Sequence, residues 1–163
     1  STDQRNSHGT SPRMSNRHRI VPPVYFFAAL LVMVGLHLYL PISTVVAPPY
    51  DLVGWPFVAL GLASTLSAAG LFRIAGTPIR PFKQSTILVI SGAYRITRNP
   101  MYLGMALVLL GVALLLGTIA AFFPIPLFVW QVQRKFVLPE EAFLEQVFGQ
   151  QYLGYKSRVR RWL

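Results

Sequence analysis

Two short stretches carry the side chains that could do chemistry. The first is Arg98-Asn99-Pro100-Met101-Tyr102, at the head of the longest apolar run in the chain. The second is the pair Glu140 and Glu141, directly after Pro139. Arginine pairs with carboxylates, asparagine both donates and accepts, and glutamate accepts from ammonium or hydroxyl donors. Each feature also has a simpler reading. Two glutamates in the first turn of a helix offset its dipole by a few tenths to about 1 kcal/mol each. Arg98 can snorkel to lipid phosphates, and Tyr94 and Tyr102 can serve as interfacial aromatics.

The elements that position these residues follow from composition. Of 163 residues, 53% are hydrophobic and 12% are charged. That charge content is about half the roughly 25% of a soluble domain, which points to a membrane protein. The absence of cysteine rules out disulfides, thiolate metal sites and a cysteine nucleophile. His8, His18 and His37 are scattered, so no metal site is expected. His37, alone within an apolar run, reads as a packing or helix–helix hydrogen-bonding residue.

Ile20–Leu40 and Leu52–Phe72 are uncharged runs of 21 residues, about what a hydrocarbon core requires. Asn99–Gln133 extends for 35 residues without a charge, with Gly117-Thr118 near its middle. It reads as two helices, about 101–116 and 119–136, joined by a tight turn and kinked within Phe122–Pro126. The fold class expected is therefore an all-α integral membrane protein. It has four transmembrane helices, the last two a tight hairpin, followed by cytoplasmic amphipathic C-terminal helices. Residues 1–19 form a disordered basic tail, 20–75 the first two spans, and 76–163 a core unit.

Charge placement supports four spans. With that count all 15 Lys and Arg residues fall on one side, leaving only Asp51 on the other. The positive-inside rule then puts both termini in the cytoplasm, in the inner membrane if the source is bacterial. The first span is too long for a signal-peptide core and lacks a small-x-small cleavage site, so it reads as retained. The net charge of +10 is matched by anionic lipid headgroups, and no nucleic-acid-reading module accompanies it.

The segment between the second and third runs contains "STILVISG" (85–92), too short to span and bounded by turn residues. Beyond the fourth run, Pro139 opens a helix that ends at Gly149. A second amphipathic piece follows, with Tyr152, Tyr155, Val159 and Trp162 apolar and Lys156, Arg158, Arg160 and Arg161 basic, the pattern of an interfacial helix.

"LVISGAYRITRNPMYLG" and "EEAFLEQVFGQQYLGYKSRVRRW", about 35 residues apart, together resemble the isoprenylcysteine carboxyl methyltransferases and their bacterial relatives. That group is in turn similar to the phospholipid N-methyltransferases. The resemblance extends over roughly 76–162. It implies an integral-membrane enzyme that transfers a methyl group from S-adenosyl-L-methionine to a hydrophobic or lipid-like acceptor arriving from the bilayer.

By the same resemblance Thr86, Ile87, Leu88 and Val89 line the cofactor. Tyr94, Asn99, Pro100, Met101 and Tyr102 touch it, and Glu140 accepts hydrogen bonds from it. Arg98 and Glu141 are the candidate catalytic residues, Glu141 standing beside Glu140 or in competition with it. The prenylcysteine enzymes carry a basic residue four positions before the first glutamate, where this chain has Phe136. The acceptor class therefore stays open among a phospholipid amine, a lipid phenol and a small thiol. Two other readings remain: an NADPH-dependent sterol-reductase-like enzyme, which shares the R-[HN]-P-x-Y element, and a non-catalytic lipid-binding membrane protein. Oligomeric state is not legible.

Overall fold

A computed structural model describes residues 21–74 and 88–163. The basic tail, Thr86 and Ile87 lie outside the described residues. Among the described residues there are helices and turns but no strand, only isolated bridges at Thr44–Thr118 and Thr97–Arg160. The helices are α1 (Pro22–Tyr39), α2 (Gly54–Ile74), α3 (Pro100–Leu116), α4 (Pro124–Val132), α5 (Leu138–Phe148) and α6 (Gln150–Arg158). Single 3-10 turns precede α2, α3 and α4.

α1 and the stretch Tyr50–Leu71 are long and apolar enough to cross a membrane. Their outer faces fit that environment. Leu31, Leu38 and Leu66 are exposed by 74%, 64% and 69%, which in water would be a large unsatisfied apolar surface. The core lies on the inner side, where Met33, Leu109, Val132 and Val137 are fully buried.

α2 and α3 run antiparallel and form the closest packing in the molecule, because glycines seven residues apart on each helix face one another. A Cβ on Gly104 would stand 2.6 Å from the Gly61 carbonyl oxygen, and one on Gly111 would stand 2.6 Å from that of Gly54. Small residues at such positions allow two backbones to approach without any hydrophobic force between helices in lipid. The Ser64 hydroxyl adds a bond to the Pro100 carbonyl at 2.8 Å, and so ties the head of α3 to α2. Gly104→Val and Gly111→Val are each expected to cost about 3 kcal/mol, the upper end of ordinary overpacking, because the obstruction is backbone. Gly35→Ala, with nothing within 4 Å of the new methyl, should be neutral or slightly stabilising. Thermal unfolding in detergent compares the three.

α3 ends at Gly117, whose φ of +69° suits a residue without a Cβ. Its carbonyl accepts from the amides of Val45 and Val46 at 2.8 and 3.1 Å, and Ile119 N–H donates to Ser43 at 2.9 Å. The loop after α1 and the turn after α3 therefore meet at one end of the molecule. His37 joins them through a 3.1 Å bond between Nδ1 and Thr118 Oγ1, a contact from helix to turn and not between two helices.

Two expectations about the fourth apolar segment need correction. Ile119–Phe122 is a 3-10 turn, and the α-helix starts only at Pro124. Pro124 and Pro126 sit in the first turn, where a missing N–H leaves no bond unmade, so they begin the helix and do not kink it. Nor does Pro139 follow a break. Val132, Gln133, Val137 and Leu138 all keep right-handed helical dihedrals, and α4 passes into α5 through a π-helical stretch, Gln133–Val137. Leu138 N–H reaches back to Gln133 O, five residues earlier. The widened turn gives room to Pro139, which has no N–H for the Lys135 carbonyl and whose ring would crowd it in a regular α-helix. One rod thus runs from the Gly117 end of the molecule to the two glutamates.

Candidate active site

The site is assembled where the head of α3, the start of α5, α6 and the final residues 159–162 converge. Arg98 N–H donates to Arg160 O at 2.9 Å, and Thr97 Oγ1 donates to Arg161 O at 3.1 Å. Asn99 Nδ2 donates to the same Arg161 carbonyl at 3.0 Å. The C-terminal strap is therefore bound along the Thr97–Asn99 corner. Trp162 Nε1 fastens the strap to the π-helical stretch through Gln133 Oε1 at 2.9 Å.

Glu141 is buried and carries two cations. Arg161 grips it with both Nε and Nη2, at 3.0 and 2.9 Å, and Arg98 Nη1 lies 3.1 Å from its Oε1. The Arg98 contact has ion-pair distance but not hydrogen-bond direction. Its Nε and Nη1 are consequently buried without a hydrogen-bond partner. A buried donor left in that state costs about 1–3 kcal/mol, which for Nη1 the ion pair with Glu141 offsets in part.

Glu140 has the opposite character. Part of the residue reaches the surface, but its carboxyl is surrounded by protein. Burial pushes its pKa up to about 7, a hydrogen bond from the Tyr102 hydroxyl opposes that rise, and the neighbouring Glu141 charge adds to it. Burial, with Glu140 and Tyr155 nearby, likewise raises Tyr94, so its phenol stays protonated. Tyr155 donates its hydroxyl proton to Tyr94 O at 2.7 Å, which locks α6 onto the turn before α3.

These groups line one cavity of about 40 Å³, set in an opening of about 500 Å³ that includes its solvent-facing mouth. Of the residues singled out in the sequence, Leu88, Val89, Tyr94, Arg98, Asn99, Glu140 and Glu141 line it. Pro100, Met101 and Tyr102 do not. Pro100 is fully buried at the head of α3, Met101 packs on the core, and Tyr102 supports Glu140 from beneath. Leu144, Tyr152 and Tyr155 also line the cavity, although the sequence reads the two tyrosines only as the apolar face of an interfacial helix. Tyr152 and Tyr155 are buried in the protein rather than turned to a lipid interface, because the site lies between α6 and α3. Their three-residue spacing was visible in the sequence; what they faced was not. Among the described residues no cluster of His, Asp or Glu is arranged to hold a metal ion.

Residues 50–151 match the phospholipid methyltransferase family. The chain belongs to that family. The family region takes in α2, with its facing glycines, which had no recognisable signature in the sequence. An uncharacterised Haemophilus influenzae protein is 40% identical over 63 residues, covering 39% of this chain and all of that protein. The protein-S-isoprenylcysteine O-methyltransferase of Schizosaccharomyces pombe is 33% identical over 73 residues, 45% of this chain and 31% of the yeast protein. Enzyme B of that name from Arabidopsis thaliana is 33% identical over 72 residues, 44% of this chain and 36% of the plant protein. The chain therefore matches about a third of the length of the named methyltransferases in this family. No solved structure matches it.

Proposed function

We propose that this family member is an integral-membrane, S-adenosyl-L-methionine-dependent methyltransferase with a hydrophobic or lipid-like acceptor. In this reading four helical segments cross the bilayer, both termini and the site are cytoplasmic, and the two spans that pass the length criterion are joined by α3 and α4. The observation that supports it is a pocket lined by both a buried guanidinium, whose Nε and Nη1 lack a hydrogen bond among the described residues, and the Glu140 carboxyl. An amino-acid zwitterion presents the complementary pair, a carboxylate for Arg98 and an ammonium for Glu140. The enclosed volume admits little more than water, so binding requires the lining around Leu88 and Val89 to open.

The bound cofactor would supply a methyl group already activated as a sulfonium. Arg98 and Asn99 would orient the amino-acid end, and Glu140 would neutralise positive charge near it. Tyr94 would offer an aromatic face, which attracts a cation. Glu141 has both oxygens engaged and would position Arg98. Catalysis then consists of alignment and exclusion of water.

The test is calorimetric titration of the protein in detergent with S-adenosylmethionine and, separately, NADPH. Saturable binding of the first, weakened at least tenfold in Arg98→Gln by loss of a charge-assisted bond, is expected. NADPH binding in its place would assign a reductase, and binding of neither by folded protein would leave a lipid-binding membrane protein.

A further inference from the structure

A second cavity, of about 370 Å³, lies between α1 and α4 and shares no lining residue with the cavity at the head of α3. Its walls are almost wholly apolar, among them Ala29, Val32, Leu36, Leu127 and Phe128, with Tyr25 and Gln131 at one end. From Tyr25 to Leu36 the groove follows α1 for about 16 Å at 1.5 Å per residue. That is close to the depth of one leaflet of a hydrocarbon core roughly 30 Å thick.

The Tyr25 end is charged. Lys135 Nζ donates to the Tyr25 hydroxyl at 2.7 Å and stands 4.8 Å from the centre of its ring. The lysine is exposed, and an ammonium has three donors, so two remain free for another acceptor. Its place depends on the π-helical stretch. That widened turn brings Lys135 and Phe136 together against Tyr25, with the two rings edge to face at 5.6 Å. No acidic side chain pairs with Lys135 among the described residues.

We infer that the α1–α4 groove binds one acyl chain of an anionic bilayer phospholipid, with Lys135 and Tyr25 holding the headgroup phosphate. Length, apolarity and a cation at the mouth are the three properties such a lipid needs, and a zwitterionic lipid, with the same phosphate, would bring a second cation beside the lysine. The site does not depend on methyl transfer. Phe136 also stacks on Tyr102, at 6.3 Å between ring centres, so an occupied groove would buttress the tyrosine beneath Glu140.

Native mass spectrometry of the purified protein in detergent, with palmitoyl-oleoyl phosphatidylglycerol and phosphatidylcholine as competing probes, tests the inference. Wild type should retain one phosphatidylglycerol per chain with a clear preference over phosphatidylcholine. Lys135→Gln should lower that preference roughly fivefold, the equivalent of one lysine near a membrane surface, while a chain is still retained. Ala29→Trp should remove retention of both lipids, and the milder Ala29→Leu should weaken it, with circular dichroism and the thermal midpoint reporting the fold. Equal retention of the two lipids by wild type, undiminished retention by folded Ala29→Trp, or a lipid-free dimer covering the groove would each overturn it. Failure to bind S-adenosylmethionine would sink the methyltransferase reading and leave this result untouched.

Discussion

Glu140→Gln is expected to weaken S-adenosylmethionine binding by about 10- to 100-fold, the range for a lost hydrogen bond to a charged group, and at the same time to stabilise the protein. Both effects come from the same burial. In the folded state the carboxyl titrates at about 7, above its ordinary value of 4.5. Between those two values the folded chain holds a proton that the unfolded chain has released, so stability falls as pH rises through this window and is flat above it. The cost is absent below pH 4.5 and complete above about 7. At 1.36 kcal/mol per unit it amounts to about 3 kcal/mol, and glutamine, which never ionises, avoids it.

Binding has the opposite slope. A cation prefers the ionised carboxylate, and at pH 6 only about a tenth of Glu140 is ionised, so affinity should be about tenfold weaker than at pH 8. Above pH 8 the ligand's own amine loses its proton and affinity should fall again. Calorimetry across pH 5.5–9, with thermal midpoints on the same samples, reads both slopes. A variant that binds normally, or a wild-type affinity that is flat through pH 7, would remove Glu140 from the pocket.

Glu141→Ala should be the most destabilising single change at the site, at about 3–5 kcal/mol, because it strands buried Arg98 beside Arg161 with no counter-charge. Arg161→Ala should cost less. Glu141 keeps Arg98 as a partner there, and Arg161 is one-third exposed, so part of its interaction is already screened by solvent. The order Glu141→Ala worse than Arg161→Ala, read from thermal unfolding in detergent, separates a structural clamp from a catalytic carboxylate. The reverse order, or no effect from Glu141→Ala, would contradict the arrangement described. The two neighbouring glutamates thus predict opposite signs on stability, although they occupy the same turn of one helix.

That contrast shows what was legible in the sequence. The helical character and the two long apolar spans follow from composition and charge placement, and the pairing of the Arg98 corner with Glu140 and Glu141 is what the family resemblance implies. The difference between the glutamates does not, because it depends on which of two adjacent carboxylates the strap's Arg161 reaches. The π-helical stretch is likewise hidden. A proline at 139 signals a helix start by local rules, whereas the rod runs on through it with Val132 and Val137 fully buried in the core. Tyr152 and Tyr155 read as one face of an amphipathic helix, and periodicity alone does not distinguish a face turned to lipid from one turned to a pocket. The glycines of α2 and α3 stand seven apart in each helix, but their register across the pair is a tertiary fact.

The strap at residues 160–162 also has a consequence for how the molecule comes into being. It is translated after every other part of the site, and it supplies the counterparts of Thr97, Arg98, Asn99 and Glu141. Until it is made, with synthesis advancing by about 5–20 residues per second, the corner and the glutamates have no clamp. A nascent chain can therefore settle its membrane helices before it owns a competent pocket. A chain cut off after residue 158 would lack these partners of the Thr97–Asn99 corner and of Glu141.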